Sequence, residues 1–228
     1  MKFRNLHPWD LTPREAIQVQ KKLAQRISLQ NSFTKIHTIA GADIAVDIES
    51  NEGIAGVVVY RFPDLKTVER QSARKKLTYP YIPGLLSFRE VPVLLEALRE
   101  IKTEPDLILF DGQGIAHPRF LGIASHMGLL LDKPTIGCAK SLLVGSFEEP
   151  AKKAGSTSPL KIGEKTVGMV LRTRDGARPI FVSPGHKIDL ETSVQIVKNC
   201  CDGFRIPKPT READRFVGEM KRKHSPAV

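Results

Sequence analysis

The sequence is short of cysteine, of aromatic residues and of long apolar runs, and each shortage excludes something. Only 3 of 228 residues are cysteine (Cys138, Cys200 and Cys201), with no C-x-x-C pair. Two adjacent cysteines do not easily bridge each other, so no disulfide framework is expected; reduced thiols in a cytoplasm are the simplest reading. The 6 histidines are scattered without the spacing of a zinc site. The longest apolar runs, such as Leu107 to Phe110, fall far short of a membrane span. Between Met1 and Asp10, the residues Lys2, Arg4, Asn5 and Pro8 leave no apolar signal-peptide core. The 17 Gly and 16 Pro follow no repeat.

What is present is an ordinary globular composition with an unusual charge. Hydrophobic residues make up 41% of the chain, too many for disorder. The length suits one domain over residues 1–228, with a core that needs no staples. Formal net charge is +10, and the excess is localised. Residues 61–89 and 151–178 each carry seven basic and two acidic groups, and 198–228 carry eight and four. The remainder is therefore acidic, and about 222–228 reads as a basic tail. A polyanion binder is divided this way, although plain solubility charge produces the same totals.

Thr12-Pro13-Arg14-Glu15 predicts a helix start, with Thr at the cap, Pro in the first turn and Glu three residues on. Ala16, Val19, Gln20, Leu23 and Ile27 continue it at helical spacing to about Leu29. Strand-like runs at Thr38–Val46, Ile54–Phe62 and Lys66–Leu77, separated by turn residues, predict an antiparallel three-strand meander. A helix through Val93, Leu94, Ala97, Leu98 and Ile101 has an ambiguous start. Ser87 and Glu90 have capping-box spacing, but Pro92 then sits too deep. Leu107–Phe110 is wholly apolar, as in a parallel strand buried on both faces. Then come a helix near Phe120–Leu131, a strand near Thr135–Cys138 and a long polar stretch over 145–164. Strands near Thr166–Arg172 and Pro179–Val182, and helices near Leu190–Cys200 and Thr210–Lys221, complete the chain. The predicted class is α/β: a mixed sheet, with the meander and parallel strands, flanked by helices.

Four carboxylates stand where fold logic alone does not put them. Asp43 interrupts the apolar strand Ile39-Ala40-Gly41-Ala42-Asp43-Ile44-Ala45-Val46, which is costly without a partner or a cation. Asp111 ends Leu107-Ile108-Leu109-Phe110, at the carboxyl edge where α/β sheets place ligands. Glu90 follows a Pro-rich loop, and Asp214 lies one turn into the last helix. Each of the last three also has a plain reading, as turn, cap or helix-dipole partner. Carboxylates that converge repel unless a cation sits between them, and an all-oxygen set favours Mg²⁺ or Mn²⁺ over zinc. On a basic protein, that points to phosphodiester chemistry.

The segments Gly41-Ala42-Asp43, Pro80-Tyr81-Ile82-Pro83-Gly84, Ser87-Phe88-Arg89-Glu90, Phe110-Asp111-Gly112-Gln113-Gly114, His117-Pro118-Arg119 and Gly137-Cys138-Ala139-Lys140-Ser141 resemble the endonuclease V family. Pro209-Thr210-Arg211-Glu212-Ala213-Asp214 fits the same pattern, so the resemblance covers about residues 40–215. It implies a ribonuclease H-like fold and a Mg²⁺-dependent DNA-repair endonuclease, with Mn²⁺ substituting, that recognises deoxyinosine. Such enzymes cut the second phosphodiester bond 3′ to the lesion and leave 3′-hydroxyl and 5′-phosphate ends. By resemblance Asp43, Glu90 and Asp111 are metal ligands, Asp214 stands at a fourth ligand position, and Lys140 meets the scissile phosphate. The fourth position is Asp in some relatives and His in others.

On that reading Pro80, Tyr81, Ile82 and Pro83 form a stiff loop with an aromatic tip that enters a base stack. Without the resemblance they read as a polyproline-like surface turn. Gly84, Leu85, Gly112, Gly114, His117 and Ile123 are the expected base pocket, the glycines allowing close backbone approach. Gly112-Gln113-Gly114 otherwise reads as a strand-to-helix turn and lacks the dinucleotide spacing. The expected partner is DNA, single- or double-stranded, bound by a monomer. The alternatives are another ribonuclease H-like nuclease, acting on inosine-containing RNA, hybrids or junctions, and a non-catalytic nucleic-acid-binding protein of the same fold.

Overall fold

The computed structural model describes residues 1–223. Helix α1 (Pro13–Ala24) opens on the expected capping box: the Glu15 amide donates to Thr12 Oγ1, and the Glu15 carboxylate accepts from the Thr12 amide at 2.8 Å. It stops at Ala24 rather than near Leu29. Strands β1 (Thr38–Asp47), β2 (Glu52–Arg61) and β3 (Thr67–Lys76) form the antiparallel meander. Helix α2 (Leu86–Arg99) follows, then β4 (Leu107–Phe110) beside β1 and parallel to it. Helix α3 (Ile123–Leu131) leads to β5 (Thr135–Ala139), parallel to β4.

The second half departs from the sequence reading. Strand β6 (Thr157–Ile162) lies inside the stretch taken as polar loop. Its residues alternate exposed and buried, so only one face is apolar and the run does not look like a core strand. It pairs antiparallel with β7 (Lys165–Leu171), which pairs with β8 (Ile180–His186), which runs antiparallel to β5. The eight-stranded order is β3-β2-β1-β4-β5-β8-β7-β6, so two antiparallel wings flank a parallel centre. Helices α4 (Leu190–Asn199) and α5 (Lys208–Lys223) close the chain. Arg222 and Lys223 of the expected tail belong to α5, and 224–228 lie outside the described residues.

Because side chains alternate along a strand, the centre buries both faces. Ile108 and Phe110 face α2 and α3, packed with Leu94, Leu98, Met127 and Leu130. Leu107 and Leu109 face the other way, toward Ile196 and Val197 of α4. Helix α5 lies on the same side, directly on the backbone of β1 and β2. A Cβ at Gly41 would stand 1.9 Å from the Pro209 carbonyl oxygen, and one at Gly56 would stand 2.6 Å from Val217. No helix among the described residues is long and apolar enough to cross a membrane.

Candidate active site

The parallel register of β1 and β4 pairs Ala42 with Phe110, and the Asp111 amide donates to the Ala42 carbonyl at 3.3 Å. Asp43 and Asp111 therefore emerge side by side where β4 ends and β1 continues. Lys140, just past β5, places Nζ 2.5 Å from Asp111 Oδ2 and 3.6 Å from Asp214 Oδ2. Asp214 comes from α5, brought over β1 by the glycine contacts above, and remains exposed. Glu90 lies in the first half of α2. No side-chain hydrogen bond caps that helix at Leu85, so Glu90 closes no capping box, and Pro92 lies inside the helix.

Electrostatics ties the group together. Burial, then the charge of Asp111, pushes Asp43 up to about 8, and Asp214 adds to the rise while Lys140 opposes it. Burial, with Asp111 adding to it against Arg89, pushes Glu90 up to about 7. Asp111 is also raised, by burial and by Asp214 against the pull of Lys140 and Arg205. Burial works against the Lys140 charge, but Asp111, Asp214 and Asp43 outweigh it and hold its ammonium. These carboxylates strain to shed charge, which marks a functional site more often than a structural one. Among the described residues no three His, Cys, Asp or Glu side chains are gathered into a ready ligand set. The Lys140 ammonium stands instead between two of the carboxylates.

A cavity of about 390 Å³ opens beside the cluster. Glu90, Asp111 and Lys140 line it together with Gly84, Gly112, His117 and Ile123. The endonuclease V family profile matches residues 21–215. The chain belongs to the endonuclease V family.

It is 51% identical over 220 residues to an endonuclease V of Dehalococcoides mccartyi, covering 96% of this chain and 99% of that one. The crystal structure of the Bacillus subtilis endonuclease V superposes with a TM-score of 0.93 at 33% identity, covering 98% of each chain. The Ciona intestinalis endonuclease V, crystallised with a 23mer DNA containing an inosine followed by a ribo-adenosine, superposes with a TM-score of 0.82 at 28% identity. That match covers 93% of this chain and 99% of the other.

In this chain the Pro80–Pro83 loop is anchored from one end. The Gly84 carbonyl accepts from Arg119 at 2.7 Å, Gln20 Nε2 at 2.9 Å and His117 Nε2 at 3.1 Å. A carbonyl only accepts, so Nε2 of His117 carries the proton, and Nδ1 accepts from the Arg119 amide at 3.2 Å. Both ring nitrogens are thus engaged within the protein. Burial, then Arg119, holds His117 down to about 4, in keeping with a neutral ring. Gly84 itself has φ of +77°, and a Cβ there would meet Arg119 at 2.6 Å. From that anchor the loop projects Tyr81, 68% exposed, with Pro80 and Pro83 exposed and Ile82 packed below toward Tyr79 and Phe88.

Two expected pocket residues stand elsewhere. Leu85 is buried with Ala16, Tyr79 and Phe88 rather than in the cavity wall. Gly114 is covered by β8: its Cβ would lie 2.2 Å from the Pro184 carbonyl oxygen. The cavity adds Leu86, Gln113, Ser141, Leu142 and Leu143, which the sequence did not single out, and Ser87, which it read as a helix cap. Gln113 and Ser141 sat inside the quoted motifs, but nothing in their spacing assigns them a direction.

Proposed function

We propose that this chain is a Mg²⁺-dependent endonuclease that recognises deoxyinosine in DNA and hydrolyses the second phosphodiester bond 3′ to it, leaving 3′-hydroxyl and 5′-phosphate ends. The observation that carries the reading is one cavity whose wall includes Glu90, Asp111 and Lys140. A base turned out of its stack into that cavity leaves its downstream backbone beside Glu90, Asp111 and Lys140. The Ciona relative's complex with inosine-containing DNA supports the substrate.

The donor set fits a hard cation. Asp43, Glu90, Asp111 and Asp214 offer oxygen alone, and burial first, with repulsion between neighbouring carboxylates added to it, raises Asp43, Glu90 and Asp111. Those four residues would hold Mg²⁺, with Mn²⁺ substituting, once Lys140 gives up its place between Asp111 and Asp214. When bound, the cation would supply a water of lowered pKa and charge stabilisation for the leaving oxygen. The chain's own residues do the rest. Lys140, released from Asp111 and Asp214, turns its ammonium to the scissile phosphate. Tyr81 fills the gap left by the extruded base, and the Gly84 anchor holds the loop that carries it. Ile123 packs near Gly112, where a Cβ would meet it at 2.7 Å, which keeps that wall flat against a planar ring.

The test is a cleavage assay on matched DNA strands with and without deoxyinosine, and on inosine-containing RNA, each with Mg²⁺, Mn²⁺ or chelator. The expected result is cation-dependent cutting of the inosine DNA at the second bond. Cutting that ignores inosine, or that survives chelation, overturns the reading, and cutting of RNA alone moves it to the ribonuclease alternative.

A further inference from the structure

Lys140 lies just past the end of its strand, and a side chain from a distant loop holds its backbone. Strand β5 ends at Ala139, whose pairing with Phe181 closes the ladder to β8. Arg205, half-buried in the loop between α4 and α5, continues that join. Its Nη2 donates to the Lys140 carbonyl at 2.5 Å and to the Pro179 carbonyl at 3.1 Å. Its Nε donates to the Arg178 carbonyl at 2.9 Å. One guanidinium therefore bridges the residue after β5 and the two residues before β8. Its planar fork of donors suits carbonyls at fixed spacing. The loop is tied from behind as well, because Thr173 Oγ1 donates to the Arg205 carbonyl at 2.6 Å.

This staple reaches the site twice. The loop that carries Arg205 runs on into α5, so the same segment meets Lys140 at its carbonyl, through Arg205, and at its ammonium, through Asp214 at 3.6 Å. The next carbonyl, that of Ser141, accepts from Gln113 Nε2 at 3.1 Å. Residues 140–143 are nevertheless exposed and lie outside helix and strand. Lysine is a point charge on a flexible four-carbon stem, and such a stem delivers its charge to a defined point only when its base is fixed. A hydrogen bond to the Lys140 carbonyl does this. It restrains the backbone and leaves the side chain free to swing.

We propose that Arg205 is a positioning residue that fixes the backbone of Lys140, so that its ammonium can pass from Asp111 and Asp214 to the scissile phosphate without losing its aim. The inference rests on the role given to Lys140 in cleavage. Arg205 acts through Lys140 and needs no contact with the substrate. Misplacing a reacting group by about 1 Å costs on the order of a hundredfold in rate. Loss of the staple therefore falls on turnover rather than on binding of the strand.

The test is a double-mutant cycle of Arg205→Ala and Lys140→Ala, read by cleavage of inosine-containing DNA and by hydrogen–deuterium exchange of the full chain. Arg205→Ala is expected to lower kcat roughly ten- to a hundredfold with KM within about twofold of wild type. In the Lys140→Ala background the same change is expected to cost less than about twofold, because its target is already gone. Exchange over residues 140–143 is expected to quicken in Arg205→Ala without DNA or cation. A urea midpoint establishes folding, and Arg205→Gln, a shorter side chain without the fork, replaces the alanine variant if that does not fold. An arginine that only holds the fold together lowers both backgrounds by the same factor. That result, a folded variant with wild-type kcat, or unchanged exchange over 140–143 overturns this proposal alone. A Lys140→Ala enzyme that cleaves at the wild-type rate overturns the role given to Lys140 and this proposal with it.

Discussion

At the scale of single residues, Asp43 shows how a polar interruption in an apolar strand becomes a site. Its position was legible because nothing in turn or cap chemistry accounts for a carboxylate between Ala42 and Ile44. Its neighbours were not, because pairing with Asp111 depends on the register of β4 against β1. The raised values fix the sign of a pH effect. Asp43 moves from 3.8 to about 8 and Glu90 from 4.5 to about 7, so in this window the folded state binds more protons than the unfolded. The stability they contribute is complete below about pH 4 and is lost as pH rises through 7 and 8. Without added cation, the urea midpoint of the wild type is expected to fall from pH 5 to pH 8. Asp43→Asn should flatten that slope, and Mg²⁺ should restore the wild type at pH 8. The same variant should lose cleavage on the order of a thousandfold while still binding DNA in a mobility shift, since on the proposed reading it removes a cation ligand and no phosphate contact. Gly84→Ala is a second residue-scale case: a left-handed Ala costs about 1–2 kcal/mol and its Cβ meets Arg119. It should lower thermal stability and duplex cleavage together.

At the scale of elements, the sequence marks α1 and the meander well, since caps, alternation and turn residues are local signals. It leaves the start of α2 ambiguous, because Ser87 and Glu90 imitate a capping box that does not form, and Ser87 turns instead toward His126. It overlooks β6, whose apolar face is only half of an edge strand. The loop from Pro80 to Gly84 was legible as stiff, whereas its anchoring by Arg119, Gln20 and His117 was not, because those residues lie 33 or more positions away. Tyr81→Ala should leave the carboxylates intact and reduce cleavage of I·C duplexes most, I·T duplexes less and single strands least, because the aromatic tip offsets lost stacking of a few kcal/mol. An equal loss on all three substrates would make Tyr81 a packing residue. Helix α5 is held by contact with bare backbone at Gly41. Gly41→Ala should displace it from β1, costing about 1–3 kcal/mol or more by overpacking, and should lower cleavage because Asp214 moves with the helix. Urea unfolding and a cleavage assay on the folded fraction separate the two effects.

At the scale of the whole molecule, a net charge of +10 sits on a chain whose central cluster is acidic, so attraction for a polyanion has to come from basic groups outside that cluster. Affinity for DNA should fall steeply with salt, the logarithm of the binding constant dropping by about 0.9 per phosphate contact for each tenfold rise in salt. Neutralising the exposed Arg222 and Lys223 of α5 should make that slope shallower without altering the preference for inosine, as measured by fluorescence anisotropy across a salt series. Some basic groups are already engaged: Lys75 reaches Glu96 at 2.7 Å and Lys76 the Ser50 carbonyl at 2.7 Å, so a charge count overstates what is free for phosphate. The sequence by itself determined the mixed α/β class and the family, and it named Asp43, Glu90, Asp111, Lys140 and Asp214 as candidates. Composition, local periodicity and long motif strings survive without coordinates. The tertiary structure alone decided that these side chains, drawn from β1, α2, the ends of β4 and β5, and α5, meet beside one cavity. It also decided that Leu85 and Gly114 stand outside that cavity, and that Ser87 meets His126 instead of capping its helix. Such features depend on strand register, on close helix-to-sheet approach at glycine and on which atom already has a partner. These are relations between distant segments that no local pattern encodes.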